Sequence, residues 1–180
     1  GKLKNGEYRM NADEIVHSVT MPVSGSAPKR LLVVFSSIHQ NCNIASPDRY
    51  FMQNFGTIQK FIPKDTAVLR VADLGGVVGA FYINTAHRPN NANSIGRLID
   101  SVRQEFGLDP DAVTCYGGSK GGGGALYHGL RGGFRFIAVD PILSDKYYVE
   151  QMDDAHFTTG GVYAEPKEVV FNRLFDEHAK

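Results

Sequence analysis

Two stretches, Leu31-Leu32-Val33-Val34-Phe35 and Ala67-Val68-Leu69-Arg70-Val71-Ala72, are nearly continuous apolar runs without polar alternation. That pattern predicts strands buried on both faces of a parallel sheet. Ala112 to Tyr116 and Phe134 to Val139 repeat it, Glu14 to Met21 predicts a first strand, and Ala80 to Ile83 a short further one. Between these runs apolar residues recur at helical spacing. Phe51, Phe55, Ile58 and Ile62 form one such face, opened by Ser46 as N-cap and Pro47 at the first helical position. Ile95, Leu98, Ile99, Val102 and Phe106 form a second, with Asn93 as cap, and Phe171, Leu174, Phe175 and His178 a third within Pro166 to His178. A further helix is predicted from about Lys120 to Leu130. Strands alternating with helices predict an α/β fold, a three-layer α/β/α sandwich around a mainly parallel sheet. Residues 1–180 read as one domain, in which the polar first thirteen predict no element and are candidates for disorder.

The strand at Ala112 to Tyr116 runs directly into Gly117-Gly118-Ser119-Lys120-Gly121 and then into a helix. A serine flanked by glycines two positions away on either side, at a strand-to-helix junction, has the form of a nucleophile elbow. The small neighbours let two backbones approach and permit an unusual dihedral at the serine. The junction also sets Ser119 at a helix N-terminus, where unpaired N–H groups favour developing negative charge. The Lys120 amide is then one oxyanion donor. The second in such folds comes from the loop after an earlier strand, here Ser36-Ser37-Ile38-His39-Gln40-Asn41, with the amide of Ser37 or Ile38 as candidate and an ordinary polar loop as the alternative. Two plainer readings stand beside this one: a glycine-rich turn carrying a solvated serine, and a phosphate loop. The phosphate loop lacks the required ending, because Ser119 precedes Lys120 instead of following it.

Composition narrows the partners. With 19 basic and 19 acidic residues the formal net charge is zero, which argues against nucleic acid or an anionic membrane surface as a partner. No apolar run reaches the roughly 20 residues that cross a bilayer. The two cysteines, Cys42 and Cys115, match no metal spacing, so neither a metal nor a cofactor is expected, and a reducing, cytoplasmic compartment fits them better than a disulfide scaffold. The chain begins with Gly1 and carries no signal-like apolar region, which suggests a piece of a longer protein.

Four segments carry a family resemblance: Val33-Val34-Phe35-Ser36-Ser37, Leu69-Arg70-Val71-Ala72-Asp73-Leu74-Gly75, Tyr116-Gly117-Gly118-Ser119-Lys120-Gly121-Gly122 and Val139-Asp140-Pro141-Ile142. Over about residues 31–148 the chain resembles the capsular polysaccharide biosynthesis proteins of the XcbB/CpsF kind. More distantly it is similar to the α/β-hydrolase-like accessory Sec-system secretion proteins. The resemblance implies an α/β-hydrolase-like domain in bacterial surface-glycan production, an esterase or O-acyltransferase with Ser119 as nucleophile. It also implies a sheet cut short after the Phe134–Val139 strand, since only 61 residues follow Ser119. An exposed apolar edge is expected there, covered by further chain or by a second copy.

The hydrolase order is serine, acid, histidine. Asp140 ends the strand after the nucleophile helix and is the candidate acid, with a turn-capping role before Pro141 as its alternative. His156, after Asp153-Asp154, is the candidate base, with a solvated loop histidine as its alternative. Lys120 is a further candidate, since serine–lysine variants exist. His128 lies nine residues along one helix from Ser119, roughly 13 Å, too far for direct transfer. His39, Asp73 and Tyr82 are candidates for contacting a carbohydrate or acylated small-molecule substrate, with orienting the site as the alternative role of Asp73, which closes its strand near the same sheet edge. The leading reading is acyl transfer or ester hydrolysis through a seryl ester. Its alternative is a non-catalytic glycan- or partner-binding module that retains the elbow.

Overall fold

In the computed structural model, residues 1–39, 47–153, 155 and 162–179 are described. The apolar runs form the centre of a six-stranded sheet of β1 (Arg9–Met10), β2 (Val16–Thr20), β3 (Arg30–Phe35), β4 (Thr66–Val71), β5 (Val113–Gly118) and β6 (Arg135–Val139), in the order β1-β2-β4-β3-β5-β6. β3 to β6 run parallel, whereas β2 lies antiparallel to β4 and β1 antiparallel to β2. Both Val71 and Gly117 stand opposite Phe35, and Val139 stands opposite Gly118. The carboxyl ends of the four parallel strands are therefore level, and they carry Asp73, Ser36 to His39, Ser119 and Asp140 along one sheet edge. Ligands of open parallel sheets bind at such an edge.

One sheet face is covered by helices. Val33, Leu69, Val71 and Cys115 pack against Ile95, Leu98, Ile99 and Val102 of α1 (Asn91–Glu105) and Ala125 of α2 (Lys120–Gly132). Each fully buried isoleucine or leucine here contributes about 1.5–3 kcal/mol of apolar transfer. The α1 cap position is Asn90, and Asn93 falls inside the helix. Two further helices follow, α3 (Lys146–Met152) and α4 (Lys167–His178). Phe171 and Leu174 of α4 join Tyr127 of α2 in a second cluster, whereas His178 is exposed instead of packed.

On the opposite face, Leu32, Val34 and Val68 pack against Ile58 and Ile62. The helix predicted through Phe51, Phe55, Ile58 and Ile62 is not formed there. Two 3-10 turns, Pro47–Arg49 and Ile58–Lys60, take its place, and Ser46 lies outside the described residues. Phe55 has φ 55°, a left-handed conformation incompatible with an α-helix, and the carbonyls of Asn54 and Phe55 both accept from the Arg70 guanidinium. The first thirteen residues are also more ordered than their polarity predicts. β1 pairs with β2, and buried Tyr8 meets the Phe51 ring with centroids 4.6 Å apart.

β6 is the outer strand, and among the described residues nothing pairs with its far side. Ile137 and Val139 are 54% and 52% exposed, an apolar edge as expected from the sequence. Among the described residues no helix is long and apolar enough to cross a membrane.

Candidate active site

Ser119 sits between the last residue of β5 and the first of α2, with φ 54° and ψ −123°. This is a sparsely populated conformation for a residue with a Cβ, and such strain persists only where the surroundings over-determine it. They do so here. The Ser119 N–H donates to the Val139 carbonyl at 2.9 Å, and its own carbonyl accepts from the amides of Gly123 and Ile142, each at 3.2 Å. The flanking glycines are required by close approach. A Cβ at Gly117 would lie 2.2 Å from the Gly121 carbonyl oxygen, and one at Gly121 would lie 2.2 Å from the Phe35 carbonyl oxygen. The start of α2 is thus wedged against the end of β3, and Ser119 is left half-buried at the sheet edge. No hydrogen bond engages its Oγ among the described residues. The Lys120 amide, first in α2, has no partner within the helix.

The loop after β3 supplies the facing wall. The Ser36 N–H donates to the Tyr82 hydroxyl at 2.7 Å, and the Ser36 and Tyr82 hydroxyls lie 2.8 Å apart. The Ser37 amide donates to Asn54 Oδ1 at 3.2 Å, and its hydroxyl to the Gly118 carbonyl at 3.1 Å. Of the two expected donors in this loop, Ser37 is therefore already engaged by Asn54. The Ile38 amide has no partner among the described residues. His39 follows, half-buried.

Asp73 and Tyr82 do not line a cleft. Both are fully buried, so neither presents an atom to a sugar, and their expected role as substrate contacts is corrected accordingly. Asp73 Oδ1 accepts from the amides of Ala80 and Tyr82, and Oδ2 from Phe81, all at 3.0 Å. The carboxylate also pairs with Lys120 Nζ at 2.8 Å. This wrapping replaces the strand expected over Ala80 to Ile83: Phe81 and Tyr82 take φ 54° and 61° to direct their amides at the carboxylate. The fully buried Lys120 ammonium also donates to the Val78 carbonyl at 3.0 Å. A role for it as base toward Ser119 is corrected by this engagement.

Asp140 is an exposed bend residue with φ 46°, on the Ser119 side of the sheet. His156, the expected base, lies outside the described residues. Among the others, His128 is buried in α2, its Nε2 2.9 Å from the Tyr82 carbonyl and its ring stacked on Phe35. A carbonyl can only accept, so that nitrogen carries the proton. Burial holds the imidazole neutral, with its pKa pushed down to about 4. His17 is buried at the Ile15 carbonyl, and His87 and His178 are exposed. Sequence reasoning missed the Asp73–Lys120–Tyr82 cluster and Asn54. The available signal was a lysine amid the apolar and small positions of a core-facing helix.

No protein-family model matches the chain, and no curated protein does. Solved structures do. A chain of the Glycosylation Associate Protein (Gap123) complex from Streptococcus agalactiae is 20% identical, with TM-score 0.54, over 88% of this chain and 27% of that one. FphF, a fluorophosphonate-binding serine hydrolase of Staphylococcus aureus, is 15% identical, with TM-score 0.59, over 94% and 72%. The capsule O-acetyltransferase of Neisseria meningitidis serogroup A is 16% identical, with TM-score 0.57, over 93% and 63%. The chain thus spans about a quarter of the first and less than two thirds of the last. The likeness shows the fold: a mixed, mostly parallel α/β sheet of the α/β-hydrolase kind.

Proposed function

We propose that the chain is a serine-nucleophile esterase or O-acyltransferase, of the XcbB/CpsF kind, that acts in the cytoplasm on a surface or capsular glycan through a seryl ester. One observation carries the reading. Ser119 is held at φ 54° by three backbone hydrogen bonds, with its Oγ free among the described residues and an unpaired helix N-terminus beside it. Ser119 Oγ attacks the acyl carbonyl, forming the C–O bond of a tetrahedral intermediate while a histidine takes the hydroxyl proton. The Lys120 and Ile38 amides receive the oxyanion, each such donor being worth about 3–4 kcal/mol in the transition state. Collapse expels the first alcohol, which recovers the proton, and leaves the seryl ester. Water or a sugar hydroxyl then takes the acyl group, which separates esterase from transferase. His156 is the proposed base and Asp140 its orienting acid. The likeness to a serine hydrolase and a capsule acetyltransferase supports this chemistry.

A second reading, a glycan- or partner-binding relative without turnover, is favoured by one fact: no described histidine is bonded to Ser119. A fluorophosphonate separates the two. Ser119-dependent labelling is expected for the enzyme, with p-nitrophenyl acetate turnover lost in both Ser119→Ala and His156→Ala and the double variant hardly worse than either. Equal, Ser119-independent rates would remove the enzyme and leave the binding module.

A further inference from the structure

The buried cluster behind the site joins three strand ends. Asp73 follows β4, Lys120 opens α2 immediately after the proposed nucleophile, and Tyr82 reaches from the Asp73-held turn to Ser36 at the end of β3. The geometry points to Tyr82 and Lys120 as positioning residues that set the two halves of the oxyanion pocket, with the Asp73 carboxylate as their common anchor; this rests on the reading of Ser119 as nucleophile.

Each link is short and enclosed. Asp73, Tyr82 and Lys120 are all 0% exposed. One carboxylate oxygen takes two amides and the other takes an amide and the ammonium, which fills the acceptor capacity of the group. There is no room to relax: a Cβ at Gly79 would lie 2.2 Å from Asp73 Oδ2 and 2.8 Å from Lys120 Nζ. The turn is also fixed from behind, by His128 at the Tyr82 carbonyl and by Asn91 Nδ2 donating to the Ile83 carbonyl at 3.0 Å. The Tyr82 hydroxyl therefore stands at a defined point, and through it the Ser36 N–H, two residues before the Ile38 amide. On the other side the Lys120 ammonium ties the residue whose amide is the second donor to the same carboxylate. An oxyanion pocket needs both donors aimed before the charge develops. A single carboxylate shared by both walls fixes the distance between them.

Asp73→Ala would leave a buried ammonium without its counter-ion and is expected to unfold the chain, so the test uses Tyr82→Phe, which removes one hydroxyl and keeps the ring. The expected result is an about tenfold fall in both the fluorophosphonate labelling rate of Ser119 and kcat for p-nitrophenyl acetate, with KM unchanged. Ile99→Val, a buried change on α1 away from the site, serves as control: it should lower the melting temperature while leaving both rates at the wild-type value. Tyr82→Phe labelled at the wild-type rate overturns the positioning role alone. A fall matched by Ile99→Val overturns it as well, because stability alone then explains the rate. A wild-type chain that takes no label at Ser119 overturns the nucleophile reading and this role with it.

Discussion

At Ser119 the conformation that makes an elbow also makes a liability. Backbone strain of this kind costs on the order of 1–3 kcal/mol. Ser119→Gly should relieve it, offset by glycine's larger loss of chain entropy. It is expected to be about 1 kcal/mol more stable than Ser119→Ala in urea titrations, although both lack the hydroxyl; equal midpoints would mean that the dihedral is unstrained. His128 makes a second prediction at this scale. Its pKa is depressed to about 4 in the folded chain, against about 6.5 unfolded, so the unfolded state binds the proton first. The stability it contributes is full above the unfolded value and is lost as pH falls from about 6.5 toward 4. The loss amounts to about 3 kcal/mol, and His17, also pushed down by burial, adds to it in the same direction. His128→Gln, which keeps a donor for the Tyr82 carbonyl, should flatten the urea midpoint between pH 7 and 4.

Among the elements, α2 and α1 give glycine opposite meanings. Gly121→Ala would press a Cβ against backbone that cannot move aside, at a cost of about 3 kcal/mol or loss of the folded state. Gly96 in α1 has open space around it, so Gly96→Ala should stabilise by about 0.5–1 kcal/mol. A thermal melt of the two variants checks both signs. The same contrast marks what was legible in the sequence. The strands and the elbow were readable because burial on both faces and strand–glycine–serine–helix order are local signals. Phe51 to Ile62 had helical spacing but lost the helix to Arg70, whose guanidinium takes two carbonyls that a helix would have used. Ala80 to Ile83 looked like a strand because four apolar or aromatic residues do; only the distant Asp73 carboxylate explains why they turn instead. For the same reason Asp73 and Tyr82 read as candidate substrate contacts, although both are fully buried. In the site, the strained turn at Ser119 was legible, whereas no periodicity or spacing in the sequence singles out one of the six histidines as its partner.

For the molecule as a whole, the parallel sheet is closed by antiparallel β2 and β1 on one side and, among the described residues, left open at β6 on the other. Ile137 and Val139 stand on the face away from α2, while Phe136 packs toward Gly129. An unpaired, apolar outer strand is a template for a further strand. The chain is therefore expected to self-associate with rising concentration in sedimentation equilibrium, and Ile137→Lys to shift it to monomer without altering its circular dichroism. A wild-type chain that stays monomeric at the highest attainable concentration would show that this edge is inert.

The glycine-rich opening of α2 also dictates an order of events. Gly121-Gly122-Gly123-Gly124 is disfavoured as helix by about 1 kcal/mol per residue relative to alanine. Such a turn does not nucleate by itself. Distant segments close around it, among them the Phe35 carbonyl, Pro141, the Phe171 ring and the Tyr82 ring, which leave no space for side chains at these glycines. The turn thus closes only after those segments have met, and the Ser119 dihedral is imposed by that closure. In refolding, ellipticity should recover before reactivity toward fluorophosphonate does. A half-folded chain then carries an ordinary serine, so the reactivity proposed for this site is withheld until the architecture around it is complete.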